Sequence, residues 1–147
     1  MIPIAGLLHP DRVLDLQART KGEALVEICR ALERSSAVAD PAAFEKAVLD
    51  REQVMSTGIG LGIAVPHAKV ASVKDFVVAL GRTREGIDFQ SLDGKPVHLV
   101  VLIAGPEDRQ ARYLQILASV TLRLKEERVR RALLDAPDAP AMIALLA

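Results

Sequence analysis

Apolar positions recur along this chain with two different periods. In TKGEALVEICRALERSSAV, residues Leu25, Ile28, Cys29 and Leu32 return at steps of three and four, the spacing of one helical face. Thr20 and Glu23 precede that run as a capping-box pair. In DPAAFEKAVLDREQVM the stripe is Phe44, Ala47 and Val48, with Asp40 a natural N-cap and Pro41 a natural first helical residue. Carried forward, that stripe reaches Arg51, a cation near the helix end on the side leaning to the core. EDRQARYLQILASVTLRL sets Tyr113, Ile116, Leu117, Val120 and Leu124 on one face of a long helix. KEERVRRALLDA and DAPAMIALLA predict two further helical segments, parted at Pro137 and Pro140.

The other segments read as strands. RVLDL (Arg12 to Leu16) is a short one; DFVVALGRT and KPVHLVVLIAG are longer. The last is apolar on both faces, as a central strand covered by helices would be. GIDFQSLDGK, between them, carries the turn signal Asp93-Gly94. Helices at both ends and strands in the middle predict an α/β fold, a three-layer α/β/α sandwich around a mainly buried sheet.

Composition narrows the function classes. The chain has 147 residues, half of them hydrophobic, which suits one domain over 1–147 with a sizeable core. Its 19 basic and 19 acidic side chains cancel, so no net charge draws it to nucleic acid or an anionic membrane. One Tyr, three Phe and no Trp are too few for a base-stacking platform. The single cysteine, Cys29, excludes an internal disulfide framework and lies on a predicted apolar stripe. No apolar run approaches the roughly 20 residues that span a bilayer. The N-terminal MIPIAGLLHPDR lacks the basic start of a signal peptide. A cytoplasmic protein is expected, with no membrane insertion and no nucleic-acid partner.

The chemistry concentrates in STGIGLGIAVPHAKV, Ser56 to Val70. Alternating glycines there give up conformational entropy on folding, so a hard turn or a close approach is expected. A dinucleotide fingerprint needs a third glycine where Ile63 or Val65 stands, and the Gly-Lys-Ser/Thr of a P-loop is absent. His9, His67 and His98 have no paired metal-ligand spacing, and no strand-turn-helix elbow surrounds Ser56. No cofactor or metal is implied. What remains is His67: a neutral imidazole is a nucleophile near neutral pH and can accept and pass on a phosphoryl group. Ser56, Thr57 and nearby backbone amides are hydrogen-bond donors for phosphoryl oxygens, and Arg51 is the matching cation.

The segment REQVMSTGIGLGIAVPHAKV, Arg51 to Val70, resembles the active-site segment of the fructose/mannitol-type enzyme IIA family of the phosphoenolpyruvate-dependent phosphotransferase system, which includes the nitrogen-regulatory IIA proteins. The Arg-Glu helix end, the Ser-Thr-Gly, the alternating glycines and the Ile-Ala-Val-Pro-His all stand at matching spacing. DGKPVHLVVLIAGPEDRQARYLQILASV resembles the family's central strand and following helix. The resemblance implies a mixed central sheet and phosphorylation of His67 by the histidine-containing phosphocarrier protein, with Arg51 beside the phosphohistidine and Ser56 and Thr57 in the adjoining loop. Where many relatives carry a second histidine, this chain has Tyr113, which donates a hydrogen bond but carries no positive charge. A chain with no attached membrane or second phosphotransferase domain resembles the nitrogen-regulatory branch, with regulatory target proteins as partners. The alternatives are a sugar-specific carrier passing phosphate to a IIB domain and an interaction module that has lost the relay. A partner-facing apolar surface is expected among Ile59, Leu61, Ile63 and Val65, the last two leaning to the core.

Overall fold

Two polar side chains fix where the first two long helices begin. The computed structural model describes residues 3–147, so Met1 and Ile2 of the N-terminal segment lie outside the described residues. Thr20 caps α1 (Lys21–Leu32), its hydroxyl accepting from the Glu23 amide and donating to the Glu23 carboxylate. Asp40 caps α2 (Pro41–Val54) by accepting from the Ala43 amide. Three helices follow the strands: α3 (Gln110–Leu124), α4 (Glu127–Asp135) and α5 (Ala139–Ala144).

Six strands make one mixed sheet: β1 (Val13–Asp15), β2 (Gly58–Gly60), β3 (Ile63–Ala64), β4 (His67–Lys69), β5 (Val77–Ile87) and β6 (Val97–Gly105). The order is β1-β5-β6-β3-β2, and β4 also pairs with β6. β5 and β6 are antiparallel, whereas β3 and β4 both run parallel to β6 along one of its edges. Those two short strands are successive rungs on one side of β6, interrupted at Val65-Pro66.

From Leu99 to Ala104 β6 is apolar and buried because both its faces are covered. Leu99, Val101 and Ile103 pack with Tyr113, Ile116 and Val120 of α3 and with residues of α4 and α5. Val100, Leu102 and Ala104 face Leu25, Ile28 and Cys29 of α1 and Phe44 and Val48 of α2. The result is the expected α/β/α sandwich. Burial pushes the Cys29 thiol up to about 12, so it sits as a neutral core residue.

The glycine run serves a turn. Gly60, Leu61 and Gly62 all have positive φ, between β2 and β3. Glycine takes that conformation without strain; Leu61, with its side chain 55% exposed, takes it against its own preference. Ile63 and Val65 are buried, as their lean to the core anticipates, whereas Ile59 and Leu61 are exposed; the positive-φ turn at Gly60–Gly62 breaks the strand between the two pairs.

Candidate active site

The site lies along β4 beside the C-terminal end of β6, flanked by the last turn of α2 and the first turn of α3. In open α/β sheets this is where ligands gather. His67 opens β4 opposite Ile103. Pro66 has no N–H to donate, while its carbonyl accepts from the Ile103 amide. The imidazole is half-buried. Its Nδ1 is 3.0 Å from the Val65 carbonyl. A carbonyl only accepts, so Nδ1 carries the proton and Nε2 holds the free lone pair.

Burial, and after it the charges of Arg51 and Lys69, draw the His67 pKa below its usual 6.5, against the opposing pull of the Val65 hydrogen bond and Glu52. The ring is therefore neutral at neutral pH. Ala47, Arg51, His67, Ala68 and Lys69 line a cleft of about 340 Å3. Arg51 sits in the last turn of α2, where its charge complements the helix dipole, and its Nη1 donates to the Met55 carbonyl at 2.9 Å. Lys69 is two residues beyond His67 on the same strand and so on the same face. Its ammonium pairs with Gln110 and stands 4.9 Å from the centre of the Tyr113 ring.

Tyr113 completes the ring of groups. Its ring centroid is 5.2 Å from that of His67, tilted by 47°. It is 4% exposed, yet its hydroxyl has no hydrogen-bond partner. Burial pushes its pKa up to about 12, against the pull of Arg51, so the hydroxyl keeps its proton. An unpartnered buried hydroxyl is costly, and this one lies beside the His67 ring with a donor to spare.

The hydroxyls of Ser56 and Thr57 are committed elsewhere. Ser56 Oγ donates to the Phe89 carbonyl at 2.5 Å and accepts from the Gly58 amide. Thr57 is buried, and its Oγ1 donates to Glu52 at 2.6 Å. Both side chains brace the loop ahead of β2. His98 lies within β6, its Nδ1 2.9 Å from the Thr83 carbonyl.

Two residues of this region escape a reading by motif. Lys69 was legible from its two-residue offset to His67 on a strand. Glu52 was legible from the step of four that runs from Phe44 through Val48 into it. It is a buried carboxylate on what is otherwise the apolar side of α2.

A half-buried neutral histidine thus stands beside Arg51, Lys69 and a protonated tyrosine at the strand ends of an α/β/α sandwich. The family described as phosphoenolpyruvate-dependent sugar phosphotransferase system, EIIA 2, matches residues 7–147, and the chain belongs to it. It is a IIA domain of that system. A nitrogen regulatory protein of Bradyrhizobium diazoefficiens is 33% identical over 147 residues, covering 99% of this chain and 95% of that one. The fructose-specific EIIABC component of Bacillus subtilis is 38% identical over 133 residues, covering 90% of this chain but 21% of the longer protein. Among solved structures, the nitrogen regulatory protein IIA-Ntr of Neisseria meningitidis superposes with a TM-score of 0.91 at 30% identity, over 98% of this chain and 99% of that one. Mannitol IIA of Escherichia coli, solved in complex with phosphorylated mannitol IIB, superposes with a TM-score of 0.79 at 26% identity, over 95% of this chain and 96% of that one. No helix among the described residues is long and apolar enough to cross a membrane.

Proposed function

We propose that His67 accepts a phosphoryl group on Nε2 from the histidine phosphocarrier protein and that the phosphorylated state is read by regulatory partners. The observation that carries this is the Nδ1 contact to the Val65 carbonyl, which leaves Nε2 as the only basic nitrogen of the ring. In the step, the Nε2 lone pair attacks phosphorus, the N–P bond of the donor breaks, and the donor imidazole leaves with the electron pair. The Nδ1 proton stays on His67, and the Val65 carbonyl stabilises the positive charge the ring acquires. Such transfer asks for positioning and charge stabilisation rather than a base. Arg51 and Lys69 supply cations, the Tyr113 hydroxyl supplies one donor, and Ser56 and Thr57 hold the adjoining loop.

The regulatory reading is supported by end-to-end likeness to nitrogen regulatory proteins. A second reading, a sugar-specific carrier handing phosphate to a IIB domain, is favoured by the 38% identity to the Bacillus fructose component. Transfer from the phosphorylated protein to cognate IIB domains separates the two: rapid transfer supports the carrier, and none to any IIB of the same cell leaves the regulator. Binding of partners with no dependence on phosphorylation would instead mark an interaction module.

The test of the acceptor is intact mass after incubation with phosphoenolpyruvate, enzyme I and the phosphocarrier protein. One acid-labile phosphoryl group is expected on the wild type and none on His67→Ala; an unchanged gain in the variant would refute the assignment. The single-turnover rate is expected to fall with acidification only through a pKa below 6.5, because a lowered pKa keeps the ring unprotonated further into acid. An acid limb at or above 6.5 would contradict the burial argument.

Tyr113→Phe separates chemistry from stability. Removing an orphaned buried hydroxyl leaves the melting temperature unchanged or higher. Losing a hydrogen bond to a charged group slows phosphoryl acceptance by about ten- to a hundredfold. A variant that is both less stable and equally fast would show that the hydroxyl serves the fold instead.

A further inference from the structure

We propose that Glu52 is a positioning residue for the reaction at His67, with Lys21 as its fixed counter-ion; this rests on His67 being the phosphoryl acceptor. Glu52 is 6% exposed, a poor setting for a carboxylate unless its oxygens are satisfied. They are. Oε1 accepts from the Thr57 amide at 3.0 Å and from Lys21 Nζ at 2.8 Å, and Oε2 accepts from the Thr57 hydroxyl at 2.6 Å. The chain of contacts then continues without a gap. The Thr57 carbonyl accepts from the Val65 amide at 2.9 Å, and the Val65 carbonyl holds His67 Nδ1 at 3.0 Å. A buried carboxylate on α2 thus fixes Thr57, Thr57 fixes Val65, and Val65 fixes both the tautomer and the orientation of the reacting ring.

The counter-ion is held as firmly as the carboxylate. Lys21 is the first residue of α1; its ammonium donates to the Phe89 carbonyl at 3.3 Å and lies 5.6 Å from the centre of the Phe89 ring. Ser56 Oγ donates to that same carbonyl, so both ends of the Ser56-Thr57 loop are tied to this one pair. Lys21 also has an electrostatic task. A dianion on His67 faces Arg51 from α2, Lys69 from β4 and the Tyr113 hydroxyl from α3, and a bare Glu52 carboxylate would oppose all three. Pairing with Lys21 keeps that charge compensated while its oxygens do the positioning.

Two substitutions at this pair separate positioning from mere bracing. Glu52→Gln preserves shape and removes the negative charge. Lys21→Met removes the compensation and leaves the charge. We expect both to slow the plateau rate of single-turnover transfer from pre-phosphorylated phosphocarrier protein by about tenfold, as a small displacement of a reacting group does. The acid limb of the rate profile is expected to move in opposite directions. It goes to lower pH in Glu52→Gln, where a neighbouring anion is lost, and to higher pH in Lys21→Met, where one is exposed. Nitrogen-15 chemical shifts of the His67 ring, titrated in the unphosphorylated variants, read the same two displacements without any transfer step. In the double variant the losses are expected to be non-additive. Plateau rates within twofold of wild type, or His67 titrations that move together, would overturn the proposal while the wild type still accepts phosphate. A wild type that accepts none would overturn the acceptor reading itself.

Discussion

Arg51→Ala is expected to slow phosphoryl acceptance by about a hundredfold and to leave the domain folded. Removing one preorganised group aimed at developing charge typically costs about 10²–10³ in rate, and the charge of Arg51 reaches both His67 and Tyr113. The side chain is only half-buried, and its hydrogen bond goes to the Met55 carbonyl just past the end of α2. Its loss therefore removes a helix-end interaction worth about 0.3–1 kcal/mol, a small part of the stability of a domain this size. Arg51→Lys is expected to recover part of the rate only, because an ammonium keeps the charge but not the forked donor geometry. Single-turnover transfer beside thermal melts distinguishes these outcomes. A rate within threefold of wild type for Arg51→Ala would mean that Lys69 and Tyr113 suffice.

The second large effect concerns stability. A Cβ placed on Gly105 would lie 2.2 Å from the Phe76 ring, far inside van der Waals contact. Gly105 ends β6, pairs with Lys69 of β4, and accepts from the Val70 amide through its carbonyl. The buried Phe76 belongs to the core beneath α3. Gly105→Ala must displace either the ring or the strand end, and overpacking of this kind costs about 1–3 kcal/mol. A melting temperature lower by roughly 4–10 °C is the expected result. In a Phe76→Leu background, with the ring gone, the further loss from Gly105→Ala should shrink markedly. An undiminished loss there would place the strain in the backbone.

Much of this architecture was legible where local chemistry and the buried face agree. Thr20 with Glu23 marked the start of α1 and Asp40-Pro41 that of α2, because capping needs only a few adjacent residues. β6 was legible as a central strand because its apolar run is continuous. The small strands were not: β2, β3 and β4 are two or three residues each, too short for any period to register, and β3 and β4 pair with β6, more than thirty positions away. The candidate site divides in the same way. Arg51, His67 and Tyr113 stood out through resemblance and spacing, and the fold gathers them at one strand end. The commitments of Ser56 and Thr57 were hidden because they are made to Phe89 and Glu52. Glu52 lies on the step of four through Phe44 and Val48, but its partners Lys21 and Thr57 show only in the fold.

His67 is borne on a rung of the central sheet, paired to the long central strand β6, and not on a loop. Such a residue cannot swing out to meet its donor, so all of the travel in a transfer falls to the visiting protein. For the same reason there is no hinge at this point for a modification to throw. On the function proposed above, the two states of this domain share one shape and differ in local charge at an immobile address. A partner that tells them apart acts as an electrometer, and its discrimination should fade as added salt shortens the reach of that charge.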